Sequence, residues 1–348
     1  MEKSIFPWHE DAWRQLQAFG DRLPHALLFH GPAGTGKTRF ADAFAQALLC
    51  EKPAAGEPDS SGHACGVCAS CGWFSQYSHP DFRRVRPEIL EEGDDADGEA
   101  EDADTRKTAR SAKAPSKDIR IDQIRALADF MNVSTHRQGK RVVLMYPAEA
   151  LNAASANALL KTLEEPPPNT VFLLVSNSLD RLLPTILSRC RKFALPMPSA
   201  DQALAWLKTQ GVADAESLLA QQGGAPLAAQ DWAHSDAREA MEDFVRQLAH
   251  PGIETALKTA ERLQKAPVVP QVECLQRWLY DLFCYKLSGK IRYYPRYSKE
   301  ISSLSARVEL DRLLDAVKAA SERRAIADHP LSPRLFIEDM LLAYSRLF

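Results

Sequence analysis

Three runs of consecutive apolar residues punctuate the first two hundred positions: ALLFH (26–30), RVVLMY (141–146) and TVFLLVS (170–176). Runs without polar alternation suit strands buried on both faces, as in a parallel sheet. A turn and a helical apolar spacing follow each run. TRFADAFAQALLC (38–50) has that spacing directly after a glycine-rich turn. NAASANALLKTLEE (152–165) opens on Asn152, a good N-cap, and is stopped by Pro166, Pro167 and Pro168. Beyond ALPMPSADQ the pattern is helical to Phe348, with breaks near Gly223–Pro226, around 249–252 and around 266–270. The chain therefore reads as an α/β core over 1–197, a small helical lid over 198–245 and an all-helical domain over 246–348.

Composition narrows this picture little. With 348 residues, 26% of them charged, and no apolar run near ~18 residues, two or three domains and no membrane span are expected. MEKSIFPWHEDAW at the N-terminus has no apolar stretch behind a basic start, which predicts no secretory signal and a cytoplasmic address. The net charge of −3 hides one segment: 88–118 holds eleven acidic and five basic residues, leaving the rest of the chain at about +3. Too poor in apolar residues to bury anything, this segment is expected to be a disordered surface insertion. The mild basicity of the remainder permits a nucleic-acid partner without requiring one.

The chemistry begins at GPAGTGKT (31–38). Gly31-x4-Gly36-Lys37-Thr38, between a predicted strand and a predicted helix, is a phosphate-binding loop in its proper context. Gly31, Gly34 and Gly36 let backbone N–H groups close on phosphates, Lys37 reaches the β/γ oxygens and Thr38 holds Mg²⁺. Hydrolysis also needs carboxylates at the end of a neighbouring strand, and there the chain has Tyr146 and Pro147. Neither can bind the metal or polarise water. Glu149 is the nearest acid, readable as a displaced catalytic carboxylate or, more simply, as a solvated helix-entry residue.

Cys50-x14-Cys65-x2-Cys68-x2-Cys71 offers four thiolates for a closed tetrahedral zinc shell, with His63 and His79 as substitute ligands. Such a shell leaves no open position for catalysis, so the metal is expected to be structural. Cys190, Cys274 and Cys284 read as isolated core residues. In LLPTILSRC (182–190), Arg189 falls near the end of a short helical turn, as a surface residue or as a guanidinium able to reach a neighbour's γ-phosphate. The basic and aromatic stretch 279–299 could stack single-stranded nucleic acid. Trp278, Leu279, Leu282 and Phe283 have helix-core spacing, which favours a packed helix instead.

Taken together, the cysteine module after the phosphate-loop helix, ANALLKTLEEPP (156–167) and LLPTILSRC, supported by IRIDQIRAL (119–127), resemble the δ′ family of bacterial sliding-clamp loader subunits of DNA polymerase III. The likeness is good over about 5–197 and only one of layout beyond. It implies an AAA+ core, a lid and a helical collar joining a five-membered ring with δ and three τ/γ ATPase subunits, which acts on the sliding clamp and primed DNA. It implies too that the chain does not hydrolyse ATP but supplies Arg189 to the adjacent subunit's site. Leu227 falls where related ATPases place a nucleotide-sensing arginine. Family members with degraded phosphate loops differ from this chain, whose intact loop leaves ATP or ADP with Mg²⁺ as an expected ligand. Two other readings stay open: an active τ/γ-like ATPase, and a zinc-dependent nucleic-acid module. The few charges between Cys50 and Cys71 make a poor phosphate footprint for the latter.

Overall fold

The computed structural model describes residues 5–51, 62–91, 115–133, 135–136, 139–328 and 332–348. Most of the acidic insertion, 92–114, lies outside the described residues. Two compact units divide the chain, Met1–Met197 and Pro198–Phe348.

The first unit carries β1 (Ala26–His30), β2 (Phe82–Val85), β3 (Arg141–Met145), β4 (Thr170–Ser176) and β5 (Arg191–Ala194), all parallel, in the order β2-β3-β4-β1-β5. Its helices are α1 (Glu10–Gln17), α2 (Lys37–Leu49), α3 (Ala69–Ser75), α4 (Glu88–Glu91), α5 (Ile121–Asn132), α6 (Ala153–Glu164) and α7 (Pro184–Arg189). The unbroken apolar runs have a direct cause in the sheet's two covered faces. Leu27, Phe29, Leu144, Leu173 and Val175 point to a layer with Trp13 and Leu16 of α1 and Phe40 and Phe44 of α2. The alternate residues, Leu28, Val143, Met145, Phe172 and Leu174, meet Ile124 and Leu127 of α5, Leu159 and Leu163 of α6 and Ile186 of α7. Strand side chains alternate between faces, so a strand with helices on both sides needs every position apolar. Asn152 caps α6 as expected, its Oδ1 accepting from Ser155 N at 2.9 Å.

In the second unit, α8 (Ala200–Thr209), α9 (Ala215–Gln221) and α10 (Pro226–Ala233) share one small apolar cluster. A larger cluster gathers α11 (Arg238–Ala249), α12 (Ile253–Arg262), α13 (Val268–Ser288), α14 (Ser298–Arg307), α15 (Leu310–Ile326) and α16 (Pro333–Ser345). The three sequence breaks coincide with the α9/α10, α11/α12 and α12/α13 junctions. Helix α11 runs through residue 245, and its Phe244, Val245 and Leu248 belong to the larger cluster. No helix among the described residues is long and apolar enough to cross a membrane.

Candidate functional site

Parallel strands deliver their C-terminal ends to one edge of the sheet, and the chain's chemistry collects there. β1 runs into the phosphate loop and α2 starts at Lys37, while β3 delivers Tyr146 and β4 delivers Asn177. Gly34 and Gly36 have positive φ, 72° and 89°, which the closed loop requires and side-chain-bearing residues resist. Gly31 answers a different need: a Cβ there would lie 2.2 Å from the carbonyl oxygen of Leu195. Trp8 Nε1 donates to the loop's Thr35 carbonyl at 2.9 Å, tying the N-terminal segment to it.

Lys37 is 4% exposed. Its Nζ donates to the Pro32 carbonyl at 2.6 Å and to Asn177 Oδ1 at 2.7 Å. Burial lowers the ammonium to about 8, against the opposing pull of Glu149. Glu149 is thus no solvated helix-entry residue. It sits half-buried in a short turn, Ala148–Ala150, where Oε1 accepts from Asn177 N at 3.0 Å and Oε2 is buried without a hydrogen-bond partner. Thr38 is half-buried at the first turn of α2. His9, fully buried, has no hydrogen-bond partner on either ring nitrogen and packs edge-on to Phe40. Burial first and Lys37 second lower its pKa to about 4, so it stays neutral.

Tyr146 packs on the layer that holds α1 and α2, and its hydroxyl accepts from Arg86 Nη1 at 3.3 Å. Burial raises its phenol above the ordinary value despite the nearby Arg84 and Arg86. Arg84 is itself paired with Asp42 of α2 at 2.6 Å. The end of β3 therefore presents a neutral phenol in a basic setting, which is no ligand for Mg²⁺.

The four cysteines of the predicted module do converge. Their sulfurs all lie within 4.8 Å of one another, with Cys50–Cys68 at 3.9 Å and Cys65–Cys71 at 4.0 Å. Thiolates ~2.3 Å from a tetrahedral zinc stand about 3.8 Å apart, so the spacing fits that metal. Cys65 N donates to Cys50 Sγ at 3.3 Å and Cys71 N to Cys68 Sγ at 3.4 Å. Backbone N–H groups of Val67 and Cys68 lower the Cys65 thiol to about 6, favouring the ligating thiolate. Both substitute histidines are otherwise engaged: His63 stacks on Trp13 at 4.3 Å, and His79 bridges the Asp81 N–H and the Ser70 hydroxyl. Because Asp81 donates to Nδ1, the His79 proton sits on Nε2 and is given to Ser70 Oγ, which in turn donates to the Leu49 carbonyl at 2.6 Å. That relay fastens α3 to the end of α2 without joining the sulfur cluster.

Arg189 ends α7 and is one-third exposed. Its Nη1 donates to the Thr185 carbonyl at 3.0 Å and to Ser188 Oγ at 3.2 Å, and Nη2 pairs with Glu164 at the end of α6. The stretch 279–299 packs only the apolar face of its helix inward, and Lys286, Lys290, Arg292, Arg296 and Lys299 are exposed. Trp278, Leu279 and Leu282 are buried in α13, with Phe283 partly buried against them. The fully buried Asp281 carboxylate accepts from the backbone N–H groups of Arg292, Tyr293 and Tyr294. Cys190 and Cys274 are core residues, and Cys284 is half-buried. Sequence reasoning passed over Asn177, Glu164 and His9. A lone polar residue after a strand or within a helix carries no spacing signal.

A five-stranded parallel sheet of this order, with a phosphate loop leaving β1 between β4 and β5 and helices on both faces, defines a P-loop α/β protein of the AAA+ class. A family model described as DNA polymerase III, delta subunit, matches residues 8–199. The DNA polymerase III subunit delta' of Pseudomonas aeruginosa is 36% identical over 301 residues, 85% of this chain and 80% of that one. Its Escherichia coli counterpart is 31% identical over 251 residues, 70% of this chain and 66% of that one. The tau subunit of Bacillus subtilis is 28% identical over 208 residues, 60% of this chain and 31% of that one. The chain belongs to the DNA polymerase III δ′ family.

Proposed function

We propose that this chain is a non-hydrolysing member of the loader, one that keeps a phosphate cradle, lacks the carboxylates for turnover and supplies Arg189 to a neighbouring subunit's ATP. The observation that carries the reading is the end of β3, where Tyr146, bonded to Arg86, stands in the place of a metal-binding acid and Pro147 in the place of a water-polarising one. Gly31, Gly34, Gly36, Lys37 and Thr38 would hold the phosphates and Mg²⁺ of bound ATP or ADP, and Leu227 lacks the charge to sense a γ-phosphate. Cys50, Cys65, Cys68 and Cys71 would hold one zinc, whose closed shell supplies local cross-linking rather than chemistry. The cluster of α8–α10 is read as the lid and that of α11–α16 as the collar that joins τ/γ and δ in a five-membered ring, which helps load the sliding clamp onto primed DNA.

In a ring with several ATP sites, Arg189 serves one. Arg189→Ala should lower the clamp- and DNA-stimulated ATPase of the reconstituted assembly in part while sparing assembly, and an unchanged rate sinks the reading. Glu149 favours a second reading. Its Oε2 is buried without a partner close to Lys37, a placement open to an active ATPase with a displaced carboxylate.

A further inference from the structure

The last residues of α6 and α7, 25 positions apart in sequence, meet as the Glu164–Arg189 ion pair. With the Thr185 carbonyl and Ser188 Oγ also engaged, the guanidinium has three acceptors on its own subunit. Arg189 Nε, in contrast, is buried with no acceptor. The resting pose leaves that N–H unsatisfied.

A packing role for the pair is the simpler alternative, yet α6 and α7 are already joined through Leu159, Leu163 and Ile186, all buried. Both side chains are partly exposed, at 33% and 49%, and pairs of that exposure contribute little to stability. So weak a contact adds little to stability and cannot hold an arginine back from a triphosphate. It can nevertheless aim one. A free arginine has much rotamer freedom to lose, and ordering it beforehand removes that cost from the step in which it acts.

We infer that Glu164 is a positioning residue for Arg189, holding the guanidinium presented until a neighbour's γ-phosphate displaces the pair. The inference rests on the trans role proposed for Arg189. Its test is the stimulated steady-state ATPase of the reconstituted assembly carrying Glu164→Ala, Glu164→Gln, Arg189→Ala or the double alanine variant. Glu164→Ala should lose most of the kcat that Arg189→Ala loses, with KM for ATP unchanged. Glu164→Gln, whose Oε1 can accept the same Nη2 hydrogen, should recover a good part of it. The double variant should be no worse than Arg189→Ala alone, a non-additivity that a merely structural Glu164 would not produce. An impaired Arg189→Ala beside an unimpaired or faster Glu164→Ala overturns the positioning role and leaves the finger standing. A silent Arg189→Ala removes the finger and this inference with it.

Discussion

Lys37 and Asn177, 140 residues apart in sequence, are joined by a 2.7 Å hydrogen bond between Nζ and Oδ1. The lysine that would grip phosphate oxygens is tied to its own loop at Pro32 and to the end of β4, with Glu149 near enough to favour its charge. A phosphate bound by Lys37 has to compete with those contacts.

Lys37→Ala should accordingly weaken ATP or ADP binding by about tenfold or more, roughly 1.4 kcal/mol, in equilibrium dialysis of the purified chain. Clamp loading by the assembly should stay largely intact if, as proposed, nucleotide at this loop is not turned over. A Lys37→Ala loader as inactive as one with a disabled motor subunit would refute this.

His9 should make the fold acid-sensitive. Its folded pKa, about 4, lies below the ordinary 6.5, so the unfolded chain binds more protons between those values and stability falls as pH drops through that window. By linkage the loss between pH 7 and pH 5 is about 2 kcal/mol. His9→Leu should remove that pH-dependent part in urea unfolding at the two pH values, whatever its effect at pH 7. An undiminished pH dependence in the variant would assign the acid sensitivity elsewhere.

How much of this was legible in the chain follows from where apolar residues sit. β1, β3 and β4 are central and covered on both faces, so their runs stood out. β2 (FRRV) and β5 (RKFA) are edge strands with charged residues at two of four positions, and both escaped sequence reading. Arg84 in β2 is accommodated by Asp42 and the ring of Tyr77, partners set by the tertiary fold. Spacing announced the cysteine cluster because short-range knuckles fix the geometry of zinc ligands. It could not announce Asn177, brought to Lys37 by strand order, nor turn Glu149 inward, which the short turn after Pro147 does.

Gly31→Ala should destabilise the first unit by roughly 2–3 kcal/mol, because the added Cβ meets a backbone oxygen that cannot yield as a side chain would. Thermal unfolding like that of the unmodified chain would show that the Leu195 strand end gives way freely.

Protein prepared with metal retained should contain about one zinc per chain, and Cys68→Ser well under that. Since the cluster lies on the excursion between α2 and α3, the serine variant that folds and assembles should keep the ring's ATPase. Zinc-free unmodified protein, or loss of ring ATPase in an assembled Cys68→Ser complex, would contradict a structural site.

The most direct test is steady-state ATP turnover by the purified chain alone, at saturating ATP and Mg²⁺, beside its Lys37→Ala and Glu149→Gln variants. With Tyr146 and Pro147 in place of the two acids, the account predicts no turnover above the protein-free blank, although the unmodified chain holds nucleotide that Lys37→Ala releases. Turnover that both substitutions abolish would make Glu149 a working carboxylate and the chain an ATPase in its own right.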